Sequence, residues 1–189
     1  FTRIIIILSF IRNALGTQQM PPNQVIIGLA LFITFFVMTP VISDINENAF
    51  QPYTKGEITS QQAIEKSSDT IKTWMVKQIF SNKREKDLEL FMTLSGQKEP
   101  IKISETTKLP LSTVVPAFLI SELIVAFKFG FLIYLPFLII DIVVSSTLMS
   151  MGMMMLPPTM ISLPFKILLF ILVDGWSMVT QSIVVSFTG

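Results

Sequence analysis

Five ionisable side chains stand in stretches of the chain that are otherwise apolar, and their chemistry needs an explanation first. An unpaired charge at the centre of a membrane helix costs about 2.5–3.5 kcal/mol, so five facing lipid would cost on the order of 12–17 kcal/mol. That sum is as large as the stability of an ordinary domain. These groups must therefore be paired, lie at a water boundary or turn inward. They are Glu122, Lys128, Asp141, Lys166 and Asp174.

Two interpretations of these buried charges stay open. In the first they form a proton or ion relay, as in secondary transporters whose broken helices bring such groups to the membrane midplane. In the second they form structural ion pairs within or between subunits and serve assembly, or they lie outside the lipid altogether. The near balance of bases and acids, and the absence of a histidine that titrates near neutral pH, favour ion pairs. The pair we predict is Glu122 with Lys166.

A methionine-rich run precedes a pair of prolines in the last third of the chain. Methionine is flexible and polarizable, so it fills irregular gaps and packs again around new partners. Consecutive methionines point about 100° apart on a helix and cannot share one core face, although core filling is the common role of such side chains. Several copies around an axis would form a deformable apolar ring that blocks water and ions. We predict this gasket at Met153, Met154 and Met155, supported by Met151, Gly152, Pro157 and Pro158.

Composition argues against an enzyme. The chain has no Cys and no His, which removes thiolate chemistry, histidine acid–base catalysis and nearly all zinc and haem sites. The segment Gly175–Val179 lacks the final Gly of a nucleophile elbow, and no phosphate-binding or dinucleotide fingerprint is present. A net charge of +1 gives no basis for binding nucleic acid. We predict no catalytic activity, no cofactor, no metal and no nucleic-acid partner.

Charge divides the chain into three segments. The chain is 51% hydrophobic with a mean hydropathy of +0.65 and is 14% charged, whereas soluble domains are about 25% charged. Ten acids and ten bases lie between Asp44 and Lys108. We predict an all-α fold of membrane-associated helical hairpins with long kinked hydrophobic helices and an inserted small polar helical domain. Residues 1–43 and 109–189 would be the hairpins, the latter with the Met-rich pore segment, and residues 44–108 the polar domain.

Helices are predicted within each segment. A helix from Arg3 to Leu15 and an apolar helix of membrane length from Val25 to Ile42 form the first hairpin, with an end or kink at Pro40 or Asp44. In the polar domain, a capping box of Thr59 and Gln62 starts a helix from Ser60 to Phe80, and a second helix runs from Asp87 to Ser95.

The apolar stretch from Leu109 to Leu156 is too long for one simple membrane span. As a helix it would measure roughly 72 Å, more than twice the hydrocarbon core of a bilayer. Either it folds back near Lys128–Gly130, or much of it is buried in protein. Pro157 and Pro158 then break it, because neither residue donates a backbone hydrogen bond.

Two long segments carry a resemblance to a known family. They are TRIIIILSFIRNALGTQQMPPNQVIIGLALFITFFVMTPV from Thr2 to Val41 and PFLIIDIVVSSTLMSMGMMMLPPTMISLPFKILLFILVDGW from Pro136 to Trp176. The chain resembles the FliP/SctR family of type III secretion export gate proteins over essentially its whole length, and ALGTQQMPPNQV favours the flagellar branch over the injectisome branch. Because the first residue is Phe1, we expect the chain to begin inside a longer precursor.

The resemblance implies a specific role. Proteins of this family form a ring, expected to be pentameric, with FliQ, FliR and other membrane proteins of the export apparatus. The ring lies in the bacterial inner membrane at the flagellar basal body, in contact with lipid and with part of the chain on the periplasmic side. It conducts unfolded flagellar proteins, and the Met triplet is its gasket. Glu122, Asp141 and Lys166 fall on charged positions of the family. The alternatives are an ion or small-solute channel or transporter subunit, the equivalent injectisome subunit, or a structural scaffold.

Overall fold

The computed structural model describes residues 1–17, 19–96, 109–153 and 156–188, and every regular element within them is helical. The predicted all-α fold is confirmed. The elements are α1 (Thr2–Ala14), α2 (Asn23–Ile45), a π-helical segment (Asn46–Phe50), α3 (Gln51–Thr54), α4 (Ser60–Ser81), α5 (Glu85–Leu94), α6 (Leu111–Ser150), α7 (Pro158–Leu172) and α8 (Gly175–Thr188).

Two of these helices are long and apolar enough to cross a membrane. The first runs without a break from Asn23 to Thr54, and the second is α6, whose 40 residues span roughly 60 Å. Of the two alternatives for this long apolar stretch, a fold-back near Lys128–Gly130 is wrong, because the helix continues through these residues. Only 17% of the most apolar stretch of α6 is buried within the chain, so most of its apolar side chains do not pack against the rest of the chain.

The first long helix passes the residues where we predicted its end or kink. Pro40 lies inside α2 and removes a single intrahelical hydrogen bond, while the neighbouring turns hold the helix together. The winding changes only after Ile45, where five residues form a π-helical segment. Gln51 donates its backbone N–H to the carbonyl of Asn46 at the end of that segment. The helix therefore continues past Asp44 and widens, rather than ending.

Contacts between residues divide the chain into two units, and one of them consists of residues 35–124. Its helix α4 begins at the predicted capping box, because Thr59 and Gln62 exchange hydrogen bonds between side chain and backbone. The predicted helix from Ser60 to Phe80 is confirmed to within one residue, and α5 begins two residues before its predicted start. The core of this unit consists of Val76, Ile79, Leu88, Met92, Leu109, Val114 and Ala117.

The second unit consists of residues 1–34 and 125–189. Its most buried element is α1, whose inward face is Ile4, Ile7, Leu8, Ile11 and Ala14. The ring of Phe10 packs edge-on against Phe127 of α6 at 5.5 Å, and it also covers Gly130 so closely that a Cβ there would lie 2.6 Å from the ring. The apolar face of this helix is therefore buried within the chain itself.

Candidate functional site

The methionine-rich run ends α6 through a specific backbone motif. Met153 donates its N–H to the carbonyl of Leu148 at 3.0 Å, and Gly152 donates to Met149 at 3.1 Å. This is the Schellman pattern, which requires a left-handed residue at its turning point. Gly152 occupies that point with φ +74°, a conformation that costs glycine nothing. The chain therefore leaves the helix at Gly152, before Met153.

The proline pair sets the start of the next helix. Pro157 has an extended conformation and caps α7, and Pro158 is its first residue. Proline suits that position because the first N–H groups of a helix have no intrahelical partner. The predicted break at these prolines is confirmed. The described residues 151–153 and 156–157 lie between α6 and α7. We call α6, the segment that connects it to α7, and α7 the methionine hairpin.

Two methionines of this loop are exposed in the isolated chain. The exposed fraction is 65% for Met151 and 44% for Met153. Core filling within the chain is thereby excluded for these two residues. Met154 and Met155 lie outside the described residues, so the gasket stays a prediction.

A carboxylate of α6 joins the two limbs of the methionine hairpin. Asp141 accepts a hydrogen bond from the Ser162 hydroxyl through Oδ1 at 2.6 Å, and its Oδ2 pairs with Nζ of Lys166 at 2.6 Å. The side chain of Lys166 is 5% exposed and that of Asp141 is 23% exposed. We call these three residues the hairpin clasp. The predicted pairing of Lys166 with Glu122 is wrong, because the ammonium group of Lys166 forms its ion pair with Asp141.

The spacing of the clasp follows from helical geometry. Ser162 and Lys166 are four residues apart on α7 and therefore project from the same face. Asp141 and Lys166 lie nearly equidistant along the chain from the centre of the loop, as partners in an antiparallel hairpin must. This symmetry is a signal in the sequence that would have identified the pair. The clasp fixes the register of α6 against α7 about 14 Å below the end of α6.

The clasp also borders the end of α1. A Cβ built on Gly16 would lie 3.9 Å from Nζ of Lys166 and 3.6 Å from Cδ1 of Leu163. The carbonyl end of a helix carries partial negative charge, which stabilises a nearby ammonium. Lys166 therefore stands where two sources of negative potential meet, the Asp141 carboxylate and the C-terminal end of α1.

The remaining acid predicted to be buried in α6 has a different partner. Glu122 is 3% exposed and accepts a hydrogen bond from Nδ2 of Asn82 at 3.4 Å. Both residues belong to the unit of residues 35–124. Burial of Glu122, as predicted, is confirmed, and its role in assembly stays a prediction.

Two of the charges predicted to be buried are exposed in the chain. Lys128 lies on an outward face of α6, and Asp174 lies in the junction between α7 and α8. Asp174 has a left-handed backbone with φ +49°, and α8 departs from α7 at 63°. Exposure in one chain does not test the prediction for these two residues, because that prediction allowed pairing between subunits or a place at a water boundary. Their role in assembly stays a prediction.

Sequence analysis missed a further charged residue of the apolar segments. Arg3 is fully buried, donates from Nη1 to the backbone carbonyl of Ser186 at 2.8 Å, and lies 4.1 Å from the ring centre of Phe187. It thus ties the start of α1 to the end of α8, where the helix dipole favours a cation. An arginine directly before the run Ile4–Leu8 was the available signal. Ser162 was missed as well, although it lies one turn before Lys166.

The chemistry available to this arrangement is structural. Among the described residues no three His, Cys, Asp or Glu side chains are grouped so that they could hold a metal ion. The clasp neutralises its own charges, and the loop presents thioethers, which are apolar and weakly accepting. The fold and the methionine hairpin together define a helical membrane protein whose clasp stabilises packing and whose helices α6 and α7 expose many large apolar side chains.

Comparison with known proteins identifies the family. The FliP family matches residues 1–183. The chain is 56% identical to the flagellar biosynthetic protein FliP of Bacillus subtilis, over 99% of this chain and 81% of that protein. It is 50% identical to the FliP of Cereibacter sphaeroides (100% of this chain, 60% of that protein) and 49% to that of Pectobacterium carotovorum (99% and 70%). The chain belongs to the FliP family of flagellar biosynthetic proteins.

Proposed function

We propose that this chain is a pore-forming core subunit of the flagellar type III protein export gate. In this proposal it conducts unfolded flagellar proteins across the bacterial inner membrane. Its relatives are named as flagellar biosynthetic proteins. The chain's long apolar helices suit a component of a membrane. The flagellar relatives also favour this role over the injectisome counterpart.

One observation carries the proposal, namely the exposed methionines at the tip of the methionine hairpin. Met151 and Met153 are exposed among the residues that the structure describes, and Gly152 turns the backbone out of α6 before Met153. The hairpin clasp holds the two limbs that carry this loop. Several copies would bring Met153, Met154 and Met155 together around one axis as a flexible apolar seal.

The apolar exterior supports an assembly with other membrane proteins. Side chains on α2 and α6 point away from the chain's own core, among them Phe32, Phe35, Phe36, Phe131 and Leu132. We propose that neighbours in a pentameric ring, FliQ, FliR and lipid cover these faces. We further propose that residues 44–108 form a polar domain on the periplasmic side and that the complex lies at the flagellar basal body.

A second candidate, an ion or small-solute transporter, has less support. A proton relay needs groups that pass a proton along a line, with at least one poised to titrate. The clasp instead joins one acid to one base, and Glu122 accepts from an amide. The paired arrangement favours the structural interpretation of these charges.

The seal is tested by shortening its side chains. Replacing Met153, Met154 and Met155 together by Ala removes most of the apolar bulk while keeping the backbone. We expect cells carrying the complete export apparatus with this variant to show increased ion conductance across the inner membrane. The matched control is Met178→Ala, the same change at an exposed methionine of α8.

Two readouts decide the outcome. The first is the membrane leak, measured as decay of the proton motive force, and the second is secretion of a flagellar substrate. Wild-type leak and wild-type secretion, in a triple variant that assembles at the wild-type level, would remove the gasket from the proposal. A leak of equal size in the Met178→Ala control would show that loss of any exposed methionine has this effect.

A further inference from the structure

Two charged side chains of the apolar segments have no polar partner among the described residues. Residues 1–43 and 109–188 contain seven charged side chains. Five of them have a partner within the chain: Arg3 with Ser186 and Phe187, Arg12 with Asn23, Glu122 with Asn82, and Asp141 with Lys166. The other two, Lys128 and Asp174, make no hydrogen bond or ion pair within the part of the chain that the structure describes. One is a cation and the other an anion.

Both of these residues stand in strongly apolar surroundings. Lys128 has the exposed side chains of Phe127, Phe131 and Leu132 beside it on α6, and Asp174 follows the exposed Leu172 and Val173. A charge that is left unpaired among lipid-facing side chains is strongly penalised. Covering these apolar faces with another apolar surface would therefore require a counter-charge at each position.

The backbone at Asp174 holds its charge in a fixed place. A left-handed conformation is uncommon for residues other than glycine, although Asp tolerates it better than most. The residue sits at the turn where α8 leaves α7 at 63°, so its position is set by two helices rather than by a free loop. A fixed carboxylate is a well-defined target for a lysine, whose long stem adapts to the partner.

Lys128 and Asp174 also lie at a similar level along the methionine hairpin. Asp141 meets Ser162 and Lys166, and Phe137 packs against Phe170 with ring centres 6.3 Å apart, so residues further back on α6 face residues further along α7. Continuing this antiparallel register places the levels of Lys128 and Asp174 within about one to one and a half helical turns of each other. They share a level without forming an ion pair in one copy.

We infer that Lys128 of one copy forms an ion pair with Asp174 of the adjacent copy. The inference rests on the proposed function in one respect, which is that several copies of this chain surround a common axis. Rotation about such an axis keeps each residue at its height, so only groups at similar levels can meet across neighbours. Each copy offers its lysine to one neighbour and its aspartate to the other, which makes the contact heterologous and able to continue around a ring.

Charge complementarity favours a second copy over lipid as the occupant of this surface. An anionic headgroup would satisfy Lys128 but would repel Asp174. A second copy satisfies both groups, and it does so with equal numbers of each charge at every interface. An open arc of copies would leave one unpaired lysine and one unpaired aspartate at its ends, available to other subunits.

Cysteine cross-linking tests the contact directly, because the chain contains no native Cys. Lys128→Cys is placed on a copy with one affinity tag and Asp174→Cys on a copy with another. The two copies are expressed together with the rest of the export apparatus and treated with a bifunctional thiol reagent that spans an ion pair. We expect a dimer that carries both tags. A single chain with both substitutions should give a ladder that extends beyond the dimer. Leu172→Cys in place of Asp174→Cys is the matched control and should give neither product.

Charge reversal provides a second measurement. Lys128→Asp and Asp174→Lys should each lower the yield of the purified oligomer by roughly tenfold or more, since each creates two like charges in an apolar interface. The chain with both reversals should recover the wild-type yield. Both positions are exposed, and circular dichroism of the solubilised monomer checks that each variant folds.

Three outcomes would overturn the inference. The first is a cross-link that forms only within one chain. The second is a product of the doubly substituted chain that stops at the dimer. The third is a pair of charge reversals whose effects simply add. Native mass measurement separates this failure from that of the proposed function. If oligomers of several copies form without the cross-link, only the ion pair is wrong; if the chain never associates with itself, the ring is wrong as well.

Discussion

The two units of the chain distribute polar and apolar side chains in opposite ways. In residues 35–124, α4 and α5 bury an apolar core that includes Val76, Ile79 and Leu88, and more than half of their charged side chains are exposed. In residues 1–34 and 125–189, Arg3 and Lys166 are buried while Phe32 and Leu132 are exposed. The helices α4 and α5 of the first unit are thus arranged largely as in proteins surrounded by water, although Glu122 is buried in the same unit. The second unit places polar pairs inside and apolar surface outside.

This difference changes what a single polar contact contributes. In the unit of residues 35–124, water offers an alternative partner to most exposed polar groups, so a lost hydrogen bond is largely replaced. In the other unit the clasp is shielded from water by the helices around it. Removing one member of such a buried pair leaves its partner's charge uncompensated. The two units should therefore respond to substitution with different magnitudes.

The chain offers a separate spectroscopic reporter for each unit. It contains two tryptophans, and they are Trp74 on α4 and Trp176 on α8. Trp74 packs against Phe118, and Trp176 packs edge-on against Phe170 at 5.3 Å. Replacing either tryptophan by Phe leaves the other as the only strong fluorophore. Unfolding of each unit can thus be followed alone in detergent-purified protein.

The largest effect is expected from Lys166→Met. The substitution keeps the length of the side chain and removes its charge, which leaves the Asp141 carboxylate with Ser162 as its partner in the clasp. Loss of one partner of a buried pair costs about 3–5 kcal/mol. We expect the thermal transition of Trp176 to fall accordingly, with little change at Trp74.

The double variant Asp141→Asn, Lys166→Met is the control for this experiment. It removes both charges and should recover part of the lost stability, because no uncompensated charge remains. If the single and double variants are equally unstable, loss of packing rather than the stranded carboxylate is responsible. If the transition of Trp74 falls as far as that of Trp176, the proposed difference between the units is wrong.

A smaller effect is expected from Gly130→Ala. The added Cβ would lie 2.6 Å from the ring of Phe10, so α1 must move away from α6. Overpacking of this kind typically costs about 1–3 kcal/mol. The matched control is Gly28→Ala on α2, where no atom lies within 4 Å of the new Cβ. That control should be neutral or stabilising by up to about 1 kcal/mol, because Ala favours the helix.

The thermal transition of Trp176 fluorescence measures the stability of both glycine variants. Equal transition temperatures for Gly130→Ala and Gly28→Ala would show that Phe10 can move aside without loss of stability. Substitution of Lys128 or Asp174 should affect a different quantity. It should lower the yield of the assembly and leave the stability of the single chain unchanged, because the proposed ion pair joins two copies.

Local features of the fold were predictable from the sequence. Thr59 and Gln62 form a capping box, and Gly152 and the proline pair end α6 and begin α7. Each of these effects depends on residues within one or two turns. The long apolar stretch was harder to interpret. A reversal of the chain near Gly130 was one of two alternatives, whereas the missing Cβ of Gly130 permits the close approach of Phe10 from α1.

Pairing of charges across the chain was the least predictable feature. Glu122 was predicted to pair with Lys166, but composition does not fix which helices are neighbours. The partner of Lys166 depends on the register of α6 against α7, in which Asp141 faces Ser162 and Lys166. The position of Ser162 one turn before Lys166 could have selected Asp141, since a carboxylate has two oxygens to satisfy.

The smallest effect is expected from Thr59→Ala, which tests the unit of residues 35–124. Thr59 accepts a hydrogen bond from the backbone N–H of Gln62 at 3.3 Å, and its own N–H donates to the Gln62 side chain at 2.9 Å. Losing the cap should cost about 1 kcal/mol because water partly replaces it. The transition of Trp74 should fall slightly and that of Trp176 should stay, whereas Thr59→Ser, which keeps the hydroxyl, should behave as wild type. A loss of 3 kcal/mol or more, as expected for Lys166→Met, would mean that this unit too depends on contacts shielded from water.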